Sequence, residues 1–534
     1  MDIAKQFIGR ITWITLSTIV IAHIIAFCVK DTYFELALMI MSAIFIAVIT
    51  WRSLFNGLLV AFAEIFIGGH GHLFDFDIFG FSLSIRMIIF LVIFCIWLLK
   101  IKTNPPRYLM QRDTPWAILL IAVVIGTING YFNNNVANVF DDMNGYVIIG
   151  YLLPIISIDW TQTKRKELLE MLFGCFIWIS TFTIALAYLF THTSGDFLHT
   201  IYTFVRDSRL AEITLQVIDN KGSLMEIYLT EFFPSLNGEY WYRIFMPSQL
   251  VSILAVLLSY GAMIFLWRGE RLPIFVRLFF IFSILTVLIS LSRSFLLGCV
   301  FALLALFISA WFFGCKKLSI VSVTIKCFVL SFIAILAIYA IVEIPVPQRP
   351  DLTDAAFFET SSQTGRTEAV ISRWNLLDKM MIPILENPIL GSGFGKTVSY
   401  HSQDPRIIDE LGDTEYTTYR FEWGWHDVWL KMGLLGLIAF GWYFISIMRA
   451  GWYSANKHGY SWLTLGLLSS IIALFVTNIF SPYINHPLGI GIMLFVLPFF
   501  DFEGLNKKQK ENIQKQKTHK PIAQALPATF CIKK

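Results

Sequence analysis

Apolar runs long enough to cross a bilayer recur along most of this 534-residue chain, and nothing else in the sequence limits its fold so strongly. Hydrocarbon holds no water to satisfy backbone N–H and C=O groups, so a spanning segment must satisfy them within a helix or a closed barrel. A core about 30 Å thick takes roughly 20 residues of helix or roughly 10 of tilted strand. The runs here are long and continuous, without the alternation that marks barrel strands. Together with a composition that is 56% hydrophobic and 15% charged, they predict an all-α fold, a polytopic transmembrane helical bundle.

Fourteen spans are predicted, at 11–29, 33–51, 54–67, 82–99, 115–132, 146–160, 168–190, 248–267, 274–292, 295–314, 319–342, 428–448, 461–480 and 488–503. Those at 54–67 and 146–160 are short enough to be re-entrant. Basic residues crowd alternate loops: Lys100, Lys102, Arg107 and Arg112; Lys164, Arg165 and Lys166; Arg268 and Arg271; Lys316 and Lys317. Lys and Arg are retained on the cytoplasmic side, so the alternation predicts both termini inside, with a Lys-rich, lipid-attracted tail from Lys507 onward. The first span follows Lys5 and Arg10 but lacks a small-x-small cleavage site, and it reads as a retained anchor.

The chain then divides into N-terminal transmembrane helices (1–192), an outer polar segment (193–245), central transmembrane helices (246–343), a larger outer segment (344–427), C-terminal transmembrane helices (428–503) and the basic tail (504–534). In the larger outer segment Val370, Trp374, Leu377 and Met381 recur at helical spacing, which predicts a helix lying along the membrane surface. The run ENPILGSGFG ends that helix, since Pro388 and three glycines force a turn. GSGFG follows a helix rather than a strand and lacks the Lys of a phosphate-binding loop, so it reads as a turn alone.

Arginine on the outer side runs against the positive-inside pattern, and a buried guanidinium is costly. Arg243 opens the span after the first outer segment, Arg293 stands at the outer end of a span in LSRSFLLG, and Arg366 begins the surface helix in TGRTEAV. Arg373 follows two turns later on nearly the same face. A guanidinium presents a planar fork of donors suited to phosphate oxygens and keeps its charge when partly buried. Each arginine alone is equally explained by snorkelling, or by pairing within a segment that holds thirteen acidic against seven basic residues. The functional argument rests on the set, which suits a lipid-linked pyrophosphate.

Where the larger segment re-enters the membrane, FEWGWHDVWLKMGLLG sets Glu422 and His426 four apart, which puts both on one face of a helix beginning there. A His beside a carboxylate suits a general base acting on a hydroxyl, whereas the plain alternative is a wet interfacial His among Trp anchors. His70 and His72 with Asp75 and Asp77 read as a polar outer loop rather than a metal site. The seven cysteines form no CxxC pair, and the net charge of +4 is spread over loops and tail rather than over a nucleic-acid-binding face. No Walker motif is present, so no cofactor is expected and the energy must come from an activated substrate.

The stretches LSRSFLLG, TGRTEAVISRW with ENPILGSGFG, and His426 shortly before GLLG resemble the O-antigen ligase and O-antigen polymerase superfamily of bacterial envelope enzymes, over about residues 240 to 440. The resemblance implies a bundle related to the lipid-sugar glycosyltransferases, capped by a large periplasmic segment, in the bacterial inner membrane. It implies an inverting, metal-independent transfer of a glycan from an undecaprenyl-pyrophosphate carrier to a hydroxyl of lipid A core or of a second carrier-linked glycan. Membrane lipids and other polysaccharide-assembly proteins are the remaining expected partners, and nucleic acid is not. The pyrophosphate-holding role falls on Arg243, Arg366 and Arg293, and the base on His426. Family members commonly place His-Asn eleven residues before the Gly-x-x-Gly, whereas here His426 precedes Gly433 by seven and is followed by Asp427. Counting back eleven reaches Glu422, so His426, Glu422 or both are base candidates. A protein O-oligosaccharyltransferase of the same superfamily and a polysaccharide transporter or flippase are the alternatives, although transporters hold their charged groups near the bilayer midplane.

Overall fold

The computed structural model describes residues 4–30, 32–78, 81–217, 240–266, 273–313, 317–344, 346–347, 350, 363–404, 407–408, 413–457, 461–508 and 511. The basic loop at Arg268 and Arg271 and most of the tail lie outside them. Helices dominate: α1 (Ala4–Phe7), α2 (Arg10–Val29), α3 (Phe34–Arg52), α4 (Leu54–Ile67), α5 (Ile85–Leu99), α6 (Met110–Asn133), α7 (Val136–Met143), α8 (Leu152–Ser157), α9 (Gln162–His192) and α10 (Asp196–Asp207) form the first half. The second half holds α11 (Leu250–Leu266), α12 (Ile274–Ile289), α13 (Arg293–Phe312), α14 (Lys317–Glu343), α15 (Gln363–Glu386), α16 (Gly424–Lys457), α17 (Ser461–Thr477) and α18 (Pro487–Phe495).

Among the described residues nine helices are long and apolar enough to cross a membrane, or ten if the bent pair Pro487–Phe499 and Phe502–Lys508 is one span. Four shorter apolar helices, Leu54–Ile67, Ile85–Leu99, Ile274–Ile289 and Trp462–Thr477, fall on other predicted spans. The stretch at 146–160 joins α7, a 3-10 turn (Asn144–Tyr151) and α8 into one apolar run, Val136–Ser157. The chain is therefore a multi-pass membrane protein. Its central helix, α11, is buried along nearly its whole length, with Val251, Val256, Leu257 and Met263 sealed from solvent. At the periphery α3 and α14 turn Ile40, Met41, Phe45, Phe328, Phe332 and Leu336 outward, the apolar surface that lipid covers.

The polar segments gather at one end, called the capped end below. There Lys30 after α2, Glu35 at the start of α3 and Asp75 meet, His192 at the end of α9 contacts Ile341 and Pro347, and the start of α13 meets the end of α17. The basic loops predicted to be cytoplasmic meet at the opposite end, where Arg107 pairs with Asp159 and Lys100 and Lys164 lie over the Trp51 and Phe55 rings. Among the described residues three two-stranded antiparallel pairs, which hydropathy alone does not announce, decorate the capped end: β1 (Asp75–Ile78) with β2 (Phe81–Ser84), β3 (Glu212–Val217) with β4 (Tyr240–Phe245), and β5 (Val398–His401) with β6 (Glu415–Thr418). In β4 the alternation of YWYRIF buries Tyr240, Tyr242 and Ile244 and turns Arg243 to the other face.

The amphipathic helix of the larger segment is present as α15, but its buried stripe is Leu376, Met380 and Ile384, packed on Val398, Tyr400, Phe421, Trp423 and Leu430. Trp374 is exposed, and so are Ile371, Ile382, Leu385 and Ile389 on the outward side. The segment thus has a small core of its own, against which Leu377 and Met381 of the predicted face pack partly buried, while Trp374 of that face is exposed. After Glu386 the three glycines of GSGFG all take positive φ, 75°, 83° and 73°. This turn wedges between α6 and α16. Asn129 donates to the Gly391 carbonyl at 2.7 Å and Asn134 to that of Phe394 at 2.8 Å. Helix α16 breaks at Gly433 (φ 63°, ψ −162°) to receive it. Leu430 and Leu434, which would bond each other in a continuous helix, instead take the Ser392 N–H (2.6 Å) and the Pro388 carbonyl (2.9 Å).

Candidate functional site

The capped-end loop between α17 and α18, residues 478–486, touches every wall of the candidate site. Its sequence NIFSPYINH is too polar and too broken by Pro482 to stay helical. Asn478 Oδ1 accepts the Ile484 N–H at 3.0 Å and holds the loop in a tight turn. Ser481 hydrogen-bonds Ser294 in the first turn of α13 at 2.9 Å, and Thr477 donates to the Ser294 carbonyl. The Tyr483 ring lies 5.3 Å from that of Phe295, and Asn485 donates to the Asp427 carboxylate. Burial, with Glu212 adding to it and Arg243 opposing, raises the Tyr483 hydroxyl well above its usual range, so it is a neutral donor between those charges.

His426 sits in the first turn of α16, half-buried, with its ring 6.0 Å from Trp423. Its Nδ1 is buried and has no hydrogen-bond partner among the described residues. Helix α16 begins only at Gly424, pressed against Asn478, so Glu422 lies before the helix and the expected shared face does not form. Glu422 instead forms a two-pronged ion pair with Arg373 of α15, both side chains about half exposed (48% and 45%). That pair ties α15 to the approach of α16.

Arg243 and Arg293 converge on the turn between α12 and α13. Arg243, which lies on β4 rather than opening a span, donates from Nε to the Ser290 carbonyl at 2.8 Å and stacks over the Phe245 ring. Arg293 is the first residue of α13 and is exposed. A guanidinium there adds to the partial positive charge of the unsatisfied N–H groups, which makes the spot attractive to an anion. Arg366 lies in the first turns of α15, and its side chain is outside the described residues.

One polar network escaped the sequence reading. Lys431, on α16 one turn after Asp427, reaches Asp427 and Asp142 at 2.5 Å each, and all three are nearly sealed from solvent. Asp142 Oδ2 also accepts the Gly395 N–H at 2.9 Å, so one carboxylate clamps both the glycine turn and α16. A Lys within an apolar helix signals a partner by its cost, and Asp427 stands one turn before it, but the second partner, Asp142, is 289 positions away and unreadable from spacing.

No curated protein and no solved structure matches the chain. Residues 278–441, less than a third of the chain, match the family model described as O-antigen ligase. The matched part holds Arg293, Arg366, Arg373, Glu422 and His426, and it leaves Arg243 outside. That stretch, which runs from within α12 into α16 of the apolar bundle, is similar to the O-antigen ligase family.

Proposed function

We propose that the protein is a membrane glycosyltransferase that moves a glycan from an undecaprenyl-pyrophosphate carrier to an acceptor hydroxyl, working at the capped end, which faces the periplasm of a bacterial inner membrane. What supports this reading is that the elements carrying His426, Arg293 and Arg243 all reach loop 478–486, through Asp427, Ser294 and the charge of Arg243 at Tyr483, and that the half-buried His426 has an Nδ1 without a partner among the described residues, inside the matched stretch. Both termini lie in the cytoplasm on this reading.

His426 removes the proton of the acceptor hydroxyl as its oxygen bonds to the anomeric carbon. The bond from that carbon to the pyrophosphate oxygen breaks, and undecaprenyl pyrophosphate leaves with the electron pair. Attack opposite the leaving group inverts the anomeric centre. Arg243, Arg293 and Arg366 stabilise the charge that develops on the pyrophosphate, which fixed donors do without reorganisation. Glu422, held by Arg373, serves to place the helix start, and with it His426, rather than to take the proton. Arg373 then acts as a positioning residue.

The test is turnover by the purified full chain in nanodiscs, given a carrier-linked glycan and either lipid A core or a second carrier-linked glycan. Product with one acceptor separates ligase from polymerase, and product with neither, together with carrier-dependent transport, would replace this reading with the transporter one.

A further inference from the structure

We propose that a second anion site lies at the capped end, built from His70, Arg86 and Arg209, and that it holds the phosphate or pyrophosphate group of the lipid-linked acceptor. The assignment of the anion to the acceptor rests on the glycosyl-transfer reading above.

The site begins in the sequence GGHGH, directly after α4. Gly71 has φ +88°, and a Cβ there would stand 3.0 Å from Arg86 Cβ and 3.3 Å from its Nε and Cζ, so the loop wraps closely on the guanidinium. Arg86, in the first turn of α5, is only 5% exposed. Its Nε donates to Glu64 at 2.8 Å and its Nη2 to the Gly69 carbonyl at 3.0 Å, but its buried Nη1 has no acceptor among the described residues. A buried guanidinium donor left unmatched is costly, and an anion is what would match it.

The histidines around it have tautomers fixed by their partners. The Leu488 N–H donates to His486 Nδ1 at 3.2 Å, so a neutral His486 carries its proton on Nε2. That N–H faces His70 Nδ1 at 3.3 Å, which leaves His70 with its proton on Nε2; the residue reaches solvent, but the loop and the neighbouring elements crowd around its ring. On the other flank Arg209 approaches His72 Nε2 at 3.5 Å, and His72 Nδ1 in turn donates to Asp75 at 2.9 Å, with Lys30 on the same carboxylate. The lone pairs of His486 and His70 are therefore committed to hydrogen bonds and do not turn toward a shared point as metal ligands do.

Burial and then the charges of Arg86, Arg209, His72 and Arg420 hold His70 at about 4, so it is neutral at physiological pH and acts as a donor. The ring thus sits among three guanidinium charges and offers an N–H of its own. The ligand class that fits is acceptor-only and negatively charged, which is a phosphate ester or pyrophosphate.

This cluster is distinct from the arginines on the α12–α13 turn, and loop 478–486 stands between the two. Tyr483 feels Arg243 on one side, and its ring lies 6.2 Å from that of His486 on the other. Two cationic centres separated by one loop suit a reaction in which donor and acceptor both carry anionic lipid headgroups.

The experiment measures binding of inorganic pyrophosphate to the full chain in nanodiscs of neutral lipid, and then acceptor KM. Wild type should bind two equivalents, Arg209→Gln with His70→Ala one, and Arg243→Ala one. His70→Ala should raise the acceptor KM about tenfold, the loss of roughly one charge-assisted hydrogen bond, with kcat and donor KM retained, and His70→Gln, which restores an N–H, should recover part of it. A carrier-linked acceptor that responds while a lipid A core acceptor does not assigns the site to pyrophosphate, and the converse assigns it to core phosphate. A single pyrophosphate equivalent unaffected by the His70 and Arg209 variants overturns the proposal while leaving the glycosyl-transfer reading intact. Equal competition by phosphatidylglycerol makes it a structural lipid site and overturns the acceptor assignment. Two equivalents with no turnover on any acceptor would instead sink the glycosyl-transfer reading, and the acceptor assignment with it.

Discussion

Gly391 and Gly433 meet backbone to backbone: a Cβ on Gly391 would stand 2.6 Å from the Gly433 nitrogen, and both residues have positive φ. This contact joins the glycine turn after α15 to the break in α16, and so joins the large outer segment to the helix that carries His426. Replacing either glycine by Ala adds left-handed strain to a backbone clash with no flexible side chain to yield. Each substitution should cost about 2–4 kcal/mol. Thermal unfolding of the purified variants checks this, and an unchanged midpoint for Gly433→Ala would remove the wedge as a structural requirement.

Lys431 neutralises two carboxylates in an apolar setting, and Lys431→Met leaves Asp142 and Asp427 facing each other without a cation. Removing one partner from a buried ion pair costs about 3–5 kcal/mol. The triple change Lys431→Met, Asp142→Asn, Asp427→Asn removes the charges together and should recover most of that loss. Chemical or thermal denaturation in detergent distinguishes the outcomes. If the single and triple variants are equally unstable, the network's contribution is packing rather than charge.

Much of the bundle was legible because lipid imposes a simple rule, namely long apolar runs, on elements such as α13 and α14. The strand pairs were not, because six-residue strands such as YWYRIF leave no trace in a hydropathy window built for spans. The site was legible in part. Arg243, Arg293 and His426 stood out as costly polar groups, and residues beside the last two, Ser294 and Asp427, bond loop 478–486. The pairing of Glu422 with Arg373 was hidden because it depends on where α16 starts, and Gly424 delays that start by two residues. The Arg86 and His486 partnership joins α5 to the loop before α18, about 400 positions apart, which no local pattern encodes.

His426 and Glu422 make opposite predictions for the base. His426→Ala should reduce kcat by about 10²- to 10⁴-fold, the usual contribution of a positioned general base. Glu422→Gln breaks an exposed ion pair worth at most about 1 kcal/mol and should leave kcat within about tenfold. Steady-state turnover, with expression and unfolding midpoint matched, checks both. Full activity in His426→Ala would remove it as the base, and a collapse in Glu422→Gln that the Arg373→Gln variant does not share would transfer the role to Glu422.

Acid should weaken the capped end in two separable steps. His70 is held at about 4 against its ordinary 6.5 by burial and the neighbouring arginines, and His486 is likewise held well below by burial, His70 and Arg86. Between those values the unfolded chain binds protons that the folded one refuses, so stability rises with pH across that window and falls as pH drops from about 6.5 toward 4. Asp75 follows lower down. Its burial would raise it, but hydrogen bonds from His72 and Lys30 outweigh that and hold it at about 2 against 3.8, so its contribution is present above 3.8 and lost as pH falls through about 2. His70→Gln removes a titrating group and should flatten the dependence between pH 4 and 6.5, while Asp75→Asn should leave that window unchanged and act below it. Unfolding midpoints recorded from about pH 2 to 8 read both effects, and a His70→Gln profile parallel to wild type would show that the ring does not resist protonation in the fold.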